Sequence, residues 1–371
     1  MRQYDLIILS GSTGAVGSYV LKTLLNTSSS RILCLLRDQR SYERLVEHVV
    51  PEAKDRVETL FADLRIESDI RAGARKVEPA SRCLAIHCAA DVSWTKPKEV
   101  IAPLNVNGTR HFAQLALAIS EQRPGFLLTS TAYADSMAGH HRNAYEETKV
   151  EAERILRTDF GSTIDTCVFR ASLVVGATHT GWIGRFNGLY PLIRVIALAE
   201  VPCIAGDPRS PIDLVPVDWV TDQMLAAIGR LASGERRVEV VAAAGDSARS
   251  LGEVVSTIQK RTRAFRLREG CPEQPIVSVV SARQFAFLMR ASKQWGLEQQ
   301  FYHLERLRDL MEGYVAYATN LGRLDPINVT SPCPAAEDFL PTIIDYWLSV
   351  NAAKVLRDRQ PAWSPSMSVA I

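Results

Sequence analysis

The stretch Tyr4–Leu25, YDLIILSGSTGAVGSYVLKTLL, decides the fold of this chain. An apolar run at residues 6–9 predicts a short buried strand. Three glycines spaced three residues apart, Gly11, Gly14 and Gly17, come next, and an apolar helical pattern begins after Gly14. Glycine lets the backbone turn sharply, and a helix N-terminus attracts a pyrophosphate that approaches it. The order strand, glycine turn and helix therefore predicts a dinucleotide-binding unit, with a purely structural turn as the alternative.

Composition and charge narrow the class of protein. The chain has 371 residues, of which 47% are hydrophobic and 23% are charged, as is usual for a globular enzyme with one large or two modest domains. A formal net charge of +2 gives no reason to expect nucleic acid or an acidic membrane as a partner. No apolar run reaches the roughly 18 residues of a membrane span, and we expect no signal peptide before the first strand. Seven scattered cysteines without a CxxC pair favour a reducing cytoplasm and predict no disulfide framework.

A series of apolar runs separated by helical patterns follows the first unit. These runs predict strands at residues 31–36, 57–61, 83–87 and 126–129, and one sixth strand that continues through 168–170 and 173–176. The alternation predicts an α/β fold with a doubly wound parallel sheet of the Rossmann type, with ligands over the carboxyl ends of the strands. We expect a nucleotide-binding domain over residues 1–230, with some substrate-lobe insertions after 176. A smaller, mainly helical substrate region over 231–358 and a flexible tail over 359–371 complete the predicted organisation.

The ends of the second and third strands indicate the cofactor. Arg37 stands directly after the second strand, where an arginine accommodates the 2′-phosphate of NADP, and Arg40 follows it. The alternative is a solvated cluster of surface charge. Asp63 follows the third strand and could accept a hydrogen bond from the adenine amino group, or else cap the next helix. We expect NADPH rather than NADH.

Small side chains after the fourth strand, Ala89 and Ala90, let a cofactor lie across the strand ends. Asn105 or Asn107 could hold the backbone near the site through a water, or cap a helix. No set of metal ligands is predicted. The complete predicted cofactor-binding set is Gly11, Thr13, Gly14, Ala15, Val16, Gly17, Arg37, Arg40, Asp63, Leu64, Ala89, Ala90, Asn107 and Arg170.

A tyrosine and a lysine four residues apart, Tyr145 and Lys149, begin the helical pattern that follows the fifth strand. Residues at this spacing share one face of a helix. A lysine ammonium within about 4–6 Å lowers the pKa of a phenol, which otherwise stays near ~10. Thr131 ends the fifth strand and can donate to a substrate carbonyl oxygen. Thr131, Tyr145 and Lys149 are the predicted catalytic set, and the alternative is an exposed helix that carries the pair by chance.

The chain resembles the extended short-chain dehydrogenase/reductases, of which the GxxGxxG spacing is typical. It is most similar to the branch of the fatty acyl-CoA reductases (the male-sterility type) and of the thioester-reductase domains of carboxylic acid reductases and peptide synthetases. The matching residues are Gly11–Gly17, Leu36-Arg37, Glu43-Arg44-Leu45, His87–Ala90, Asn105–Thr109, Ser130–Tyr133, Tyr145, Lys149, Phe169-Arg170, Gly181-Trp182-Ile183, Asn187-Gly188 and Asp213–Val220. The resemblance extends from Leu6 to about Ala227 and is thin afterwards.

The resemblance implies an NADPH-dependent reduction of an acyl thioester carried on coenzyme A or on an acyl carrier protein. Hydride would add to the thioester carbonyl while Thr131 and Tyr145 donate to the developing oxyanion. Lys149 would tune Tyr145 and hold the nicotinamide ribose. The thiol would leave and an aldehyde would form, and a second hydride could give the alcohol with Tyr145 as proton donor.

Two other functions share much of this pattern. A nucleotide-sugar epimerase or dehydratase of the extended type would match up to Lys149, although the Gly-Trp-Ile segment argues against it. A non-enzymatic NADP-sensing protein would usually lack the tyrosine and lysine.

The residues that could line an acyl tunnel, or else form plain core, are Trp182, Ile183, Phe186, Leu189 and Tyr190.

Overall fold

The computed structural model describes residues 4–51, 53–135, 141–201, 203–294, 317 and 322–357. Its main sheet consists of β1 (Leu6–Ser10), β2 (Arg31–Leu36), β3 (Val57–Phe61), β4 (Cys83–His87), β5 (Gly125–Thr131), β6 (Asp165–Ala171) and β11 (Arg237–Ala242). All seven strands are parallel, in the spatial order β11-β6-β5-β4-β1-β2-β3. The predicted doubly wound parallel sheet is thus confirmed. The strand order reverses between β1 and β4, where ligands of such sheets bind.

Helices cover both faces of the sheet because its strands are apolar on both sides. In β1, Ile7 and Leu9 pack into one core while Leu6 and Ile8 pack into the opposite one. The first face carries α1 (Ala15–Thr27), α2 (Gln39–His48) and α8 (Val217–Ala232). The second face carries α3 (Glu67–Ala74), α5 (Gly108–Ala118) and α6 (Ala144–Asp159), and the short α4 (Lys98–Ala102) leads into a π-helical turn before α5.

A second apolar core lies beside the sheet. Its helices are α7 (Tyr190–Ala197), α9 (Leu251–Arg268), α10 (Ala282–Gln294), α11 (Ala336–Val350) and α12 (Ala352–Val355). Three short strand pairs accompany them: β7 (Leu173–Val175) with β10 (Leu214–Pro216), β8 (Cys203–Ala205) with β13 (Ser278–Val280), and β9 (Pro211–Ile212) with β12 (Arg249–Ser250). This core supplies one wall of the cavity described below.

The predicted domain boundary between residues 230 and 231 does not separate these cores. β11 follows that boundary yet pairs with β6 in the main sheet, whereas α7 and β8 precede it and belong to the second core. Within the predicted helical region over 231–358, residues 295–316, 318–321 and 358 lie outside the described residues, and so does the predicted tail over 359–371. None of the helices in the described ranges combines the length and the apolar run that crossing a bilayer requires.

Candidate active site

The glycine turn lies at the carboxyl end of the central strand β1. Gly11 has φ +76°, in the region that favours glycine, and a Cβ at that position would lie 2.6 Å from the backbone nitrogen of Ala89. A Cβ at Gly17 would collide with the carbonyl oxygen of Gly11. Gly14 precedes α1 and has no side chain to cap it, so the helix N-terminus is left for an anion. The turn and the end of β4 therefore fit a dinucleotide pyrophosphate.

Residues of the turn and of the first turn of α1, Thr13, Ala15 and Val16, are half-buried beside these glycines. The chain after β7 packs against the same turn, because a Cβ at Gly184 would lie 2.9 Å from the carbonyl oxygen of Gly14. Sequence reasoning missed this contact, since nothing in the spacing of Gly184 indicates its distant partner.

The predicted adenosine side lies at the ends of β2 and β3. Arg37 is exposed, and its Nε donates to Asp38 over 3.0 Å. Arg65, hydrogen-bonded to Asp63, holds the pKa of that carboxyl below its usual value, and the Arg37 charge acts in the same direction. Asp63 does not cap α3, because the residue before that helix is Ile66. Arg37 and Asp63 are thus brought together at the carboxyl ends of β2 and β3.

Other predicted cofactor residues lie after β2, β3 and β4. Arg40 is exposed in the first turn of α2, close in sequence to Arg37. Leu64 is buried, and its carbonyl oxygen lies 2.7 Å from Nδ1 of His111. Ala89 and Ala90 are half-buried after β4, beside the glycine turn.

The predicted catalytic residues come from β5 and α6. Thr131 is the last residue of β5 and is buried, with its Oγ1 accepting from the Tyr133 backbone N–H over 3.3 Å. Asn143 caps α6 by accepting from the Glu146 backbone N–H, so Tyr145 lies in the first turn of α6. Lys149 follows one turn later and is buried.

Burial is the main cause of the pKa shifts of Tyr145 and Lys149. It lowers the pKa of Lys149 to about 8, while the Glu153 carboxylate acts in the opposite direction. It raises the pKa of Tyr145, and the neighbouring Glu146 carboxylate raises it further. The lowered phenol pKa that the sequence predicted is therefore not what the structure shows. A raised pKa keeps the proton on the Tyr145 hydroxyl at neutral pH.

Arg170 forms a buried ion pair with Glu153 of α6. Its Nη2 lies 2.6 Å from one carboxylate oxygen of Glu153, and its Nε donates to the other over 3.0 Å. Ser130 Oγ donates to the same carboxylate over 2.5 Å. Since Glu153 lies one turn after Lys149, this buried cluster fixes α6 against β5 and β6. Arg170 therefore helps to hold α6 in position, and its place in the cofactor set stays a prediction.

Of the two candidate asparagines, Asn105 reaches the site and Asn107 is exposed. Asn105 Nδ2 donates to Oγ1 of Thr148 over 3.0 Å, directly before Lys149. It also donates to the Asp91 carbonyl oxygen, and its own amide oxygen accepts from the Asp91 backbone N–H. The burial of Asn105 in the turn before α5 was not readable from the sequence, where the two asparagines were equivalent.

An apolar cavity of about 40 Å³ lies beside the end of β5. It is lined by Trp94, Tyr133, Leu173, Leu189, Leu192, Ile204, Pro211, Ile212, Leu251 and Tyr317. Only Leu189 of the five predicted tunnel residues lines it. Ile183 and Tyr190 belong to the second core with Phe186 packed against it, and Trp182 packs on α1, where the Lys22 ammonium lies 4.0 Å from its ring centroid.

A family model described as male sterility protein, an NAD-binding domain, matches residues 9–141 and 134–224, together more than half of the chain. Human fatty acyl-CoA reductase 2 is 23% identical over 281 residues, which cover 59% of this chain and 53% of that protein. The chain thus spans about half the length of the curated fatty acyl-CoA reductases that it matches.

Solved structures show the same fold. The terminal R domain from the myxalamid PKS-NRPS biosynthetic pathway matches with a TM-score of 0.70 at 16% identity, covering 96% of this chain and 93% of that one. UDP-glucose 4-epimerase from Thermotoga maritima matches with a TM-score of 0.63 at 15% identity, covering 93% of this chain and 99% of that one. At these identities the two matches establish the fold and leave the reaction to be argued from the site.

Proposed function

The chain belongs to the male sterility protein family, and we propose that it is an NADPH-dependent reductase of acyl thioesters. The substrate is an acyl chain on coenzyme A or on an acyl carrier protein. The first product is the aldehyde, and the alcohol forms if a second hydride is transferred. The similarity to human fatty acyl-CoA reductase 2 and to an R domain of a PKS-NRPS pathway supports the thioester as substrate.

One observation carries the proposal: the catalytic candidates and the glycine turn both lie at the carboxyl ends of the parallel strands. β1 and β5 are parallel, so the glycine turn and Thr131 both follow carboxyl ends of strands. The charge of Lys149 acts on Cys88, and a Cβ at Gly17 would lie 3.2 Å from the Cys88 Cβ. The lysine therefore lies near the surface on which the dinucleotide would rest.

The residues present fit a nicotinamide dinucleotide with a 2′-phosphate. The close approach at Gly11 and the uncapped N-terminus of α1 suit the pyrophosphate, and the exposed Arg37 and Arg40 suit the extra phosphate. When bound, NADPH supplies the hydride. The cofactor set that we propose retains the predicted residues of the glycine turn with Arg37, Arg40, Asp63, Leu64, Ala89 and Ala90.

The side chains act on the thioester carbonyl oxygen. Thr131 and Tyr145 donate hydrogen bonds to this oxygen as negative charge develops on it, which is where electrostatic stabilisation has most effect. Because its pKa is raised, Tyr145 has a proton to give to an alkoxide in the second step. Lys149, charged below about pH 8, holds the ribose and offsets the charge that develops nearby. The C–S bond then breaks as the carbonyl re-forms, and the sulfur leaves as a thiolate that takes a proton from solvent.

The apolar cavity supports an acyl substrate. Tyr133, one of its walls, is two residues from Thr131 and donates its backbone N–H to that side chain. An acyl chain extending from the reacting carbonyl would enter an environment of aromatic and aliphatic side chains. A nucleotide sugar would bring hydroxyl groups that these side chains cannot satisfy.

The direct test follows NADPH oxidation by absorbance with acyl-CoA, acyl carrier protein and nucleotide-sugar substrates, and identifies products by mass spectrometry. We expect NADPH loss with an acyl thioester and an aldehyde or alcohol as product. Turnover of a nucleotide sugar without thioester reduction would instead assign an epimerase or dehydratase. Cofactor binding with no turnover of any substrate would indicate a sensor protein.

We also propose a reducing compartment, the cytoplasm. All seven cysteines are free, and Cys34, Cys83, Cys167, Cys203 and Cys333 are buried. Free buried thiols of this kind are typical of proteins from compartments where disulfides do not persist.

A further inference from the structure

A buried carboxylate stands next to the proposed catalytic tyrosine and takes no part in the proposed reaction. Glu146 is fully buried in the first turn of α6. Its Oε1 accepts from the Tyr317 hydroxyl over 2.6 Å and faces Nε of Arg142 at 3.2 Å. Its Oε2 accepts from the Arg142 backbone N–H over 3.0 Å. A buried charge with this many partners holds them in fixed positions, because releasing any one leaves the carboxylate unsatisfied.

Tyr317 is anchored at both its hydroxyl and its ring. The hydroxyl accepts from Nδ2 of Asn143 over 2.9 Å while it donates to Glu146. The ring stacks on Trp94 with centroids 4.3 Å apart and meets Tyr133 edge-on at 5.0 Å. The guanidinium carbon of Arg142 lies 4.7 Å from the ring centroid of Tyr317. A side chain held in this way forms a rigid wall rather than an adaptable one.

This wall limits the apolar cavity. Trp94, Tyr133 and Tyr317 form its aromatic side, and α7 with its neighbouring strands forms the aliphatic side. Its volume of about 40 Å³ accommodates only a few atoms, since one water occupies about 10–15 Å³ on the same measure and pockets for larger ligands reach about 300 Å³. A long acyl chain would have to displace the anchored ring.

We propose that Tyr317 sets the upper limit on the length of the acyl chain, with Glu146 as the residue that positions it. This inference rests on the proposed thioester reduction. Short acyl thioesters are the substrate class that fits the small cavity, and longer chains are rejected because the anchored phenol ring of Tyr317 lines it and does not give way. Each methylene that is buried in the cavity tightens substrate binding by about fourfold. Room for two more methylenes would therefore change the ratio of kcat/KM between two chain lengths by more than about tenfold.

The test compares Tyr317→Ala and Tyr317→Leu with the wild type. Rates (kcat/KM) are measured for acetyl, butyryl, octanoyl and palmitoyl thioesters of coenzyme A. We expect the wild type to favour the short chains, and both variants to raise the octanoyl-to-butyryl ratio, by about tenfold or more for Tyr317→Ala. The change should lie in KM for the longer chain. Phe287→Ala is the matched control, because Phe287 is an exposed aromatic of α10 outside the cavity.

Tyr317→Phe tests the anchor. It keeps the ring and removes the hydroxyl that binds Glu146, so we expect a smaller shift in the same direction. Tyr317→Leu retains apolar bulk and keeps the comparison available if the alanine variant does not fold. A correctly folded variant, with native melting temperature and NADPH affinity but an unchanged chain-length profile, would overturn the proposal.

Calorimetric binding of non-reducible acyl-CoA thioethers separates this inference from the proposed function. If the wild type reduces no thioester, the reductase proposal fails, and the thioether affinities still report whether Tyr317 limits chain length. A wild type that binds octanoyl and palmitoyl analogues as tightly as the butyryl analogue would contradict the proposed limit.

Discussion

At the scale of single residues, Lys149 connects burial to a measurable pH dependence. The side chain is 1% exposed, and desolvation lowers its pKa to about 8. A lysine carries its charge below its pKa, so the ammonium that the mechanism needs is lost as the pH rises through about 8. We predict that kcat/KM falls on the alkaline side with an apparent pKa near this value. A flat profile to pH 10, well above it, would show that the charge of Lys149 is not required.

Arg37 is the residue on which the proposed preference for NADPH over NADH depends. It is exposed at the end of β2, and hydrogen bonds between charged groups contribute about 1.5–3 kcal/mol. We predict that Arg37→Ala raises the Kd for NADPH by roughly tenfold to a hundredfold and leaves the Kd for NADH almost unchanged. Isothermal titration of both cofactors measures this. Arg209→Ala, at an exposed arginine after β8, is the control. Equal weakening of both cofactors would mean that Arg37 does not contact the 2′-phosphate.

At the scale of the element, α6 shows what sequence can and cannot predict. The spacing of Tyr145 and Lys149 placed both on one helix face, and the structure has them there in the first turns of α6. The partners of that helix were not predictable, because Glu153 meets Arg170 across 17 residues and Glu146 meets Tyr317 across 171. Local spacing indicates the face of a helix, whereas pairing of buried charges depends on the tertiary fold.

The same limit applies to the strands and the loop after β7. The strands of the sheet were predicted because each is an apolar run bounded by turn residues. The run at 173–176 was predicted to continue the last strand of the sheet. It forms β7 instead, which pairs with β10 outside the main sheet. In the main sheet, β6 pairs with β11, which lies some seventy residues later in the chain. The insertion after residue 176 was expected from the sequence, but chain order alone does not show which later strand pairs with β6.

The buried pair between Glu153 and Arg170 should fix α6 to the sheet. We predict that Arg170→Ala destabilises the protein by about 3–5 kcal/mol, since it leaves a buried carboxylate without its main partner. Arg157→Ala removes another donor to the same carboxylate, but the Arg157 side chain is 47% exposed, so we expect a loss below about 1 kcal/mol. Urea unfolding of both variants measures the difference. Equal losses would show that burial does not distinguish the two arginines.

At the scale of the whole molecule, two cores share one chain without a simple boundary. The main sheet needs β11 from the second half, and the second core needs α7 and β8 from the first half. We predict that a fragment of residues 1–230 does not fold, because it exposes the edge of β6 and the apolar face of α7. Circular dichroism and size-exclusion chromatography check this against the full chain. A monomeric fragment with a cooperative melt and NADPH affinity would contradict it.

The architecture also explains why the site lies where it does. The glycine turn follows the carboxyl end of β1, and Thr131 and α6 lie at that of β5, with β4 between the two strands, while residues of the second core line the aliphatic side of the cavity. Under the proposed function, the sheet positions the reacting groups, and the second core forms the aliphatic wall beside the acyl group. Tyr317, from the chain between α10 and α11, contacts both parts.

The central claim is that Tyr145 donates to the oxygen of a thioester carbonyl held beside NADPH. The most direct measurement compares aldehyde formation from a short acyl-CoA by the wild type and by Tyr145→Phe, with the Kd for NADPH determined for both. We predict that the variant loses at least about a hundredfold in kcat while its Kd for NADPH stays near the wild-type value. Aldehyde formation by the variant at the wild-type rate would contradict the account.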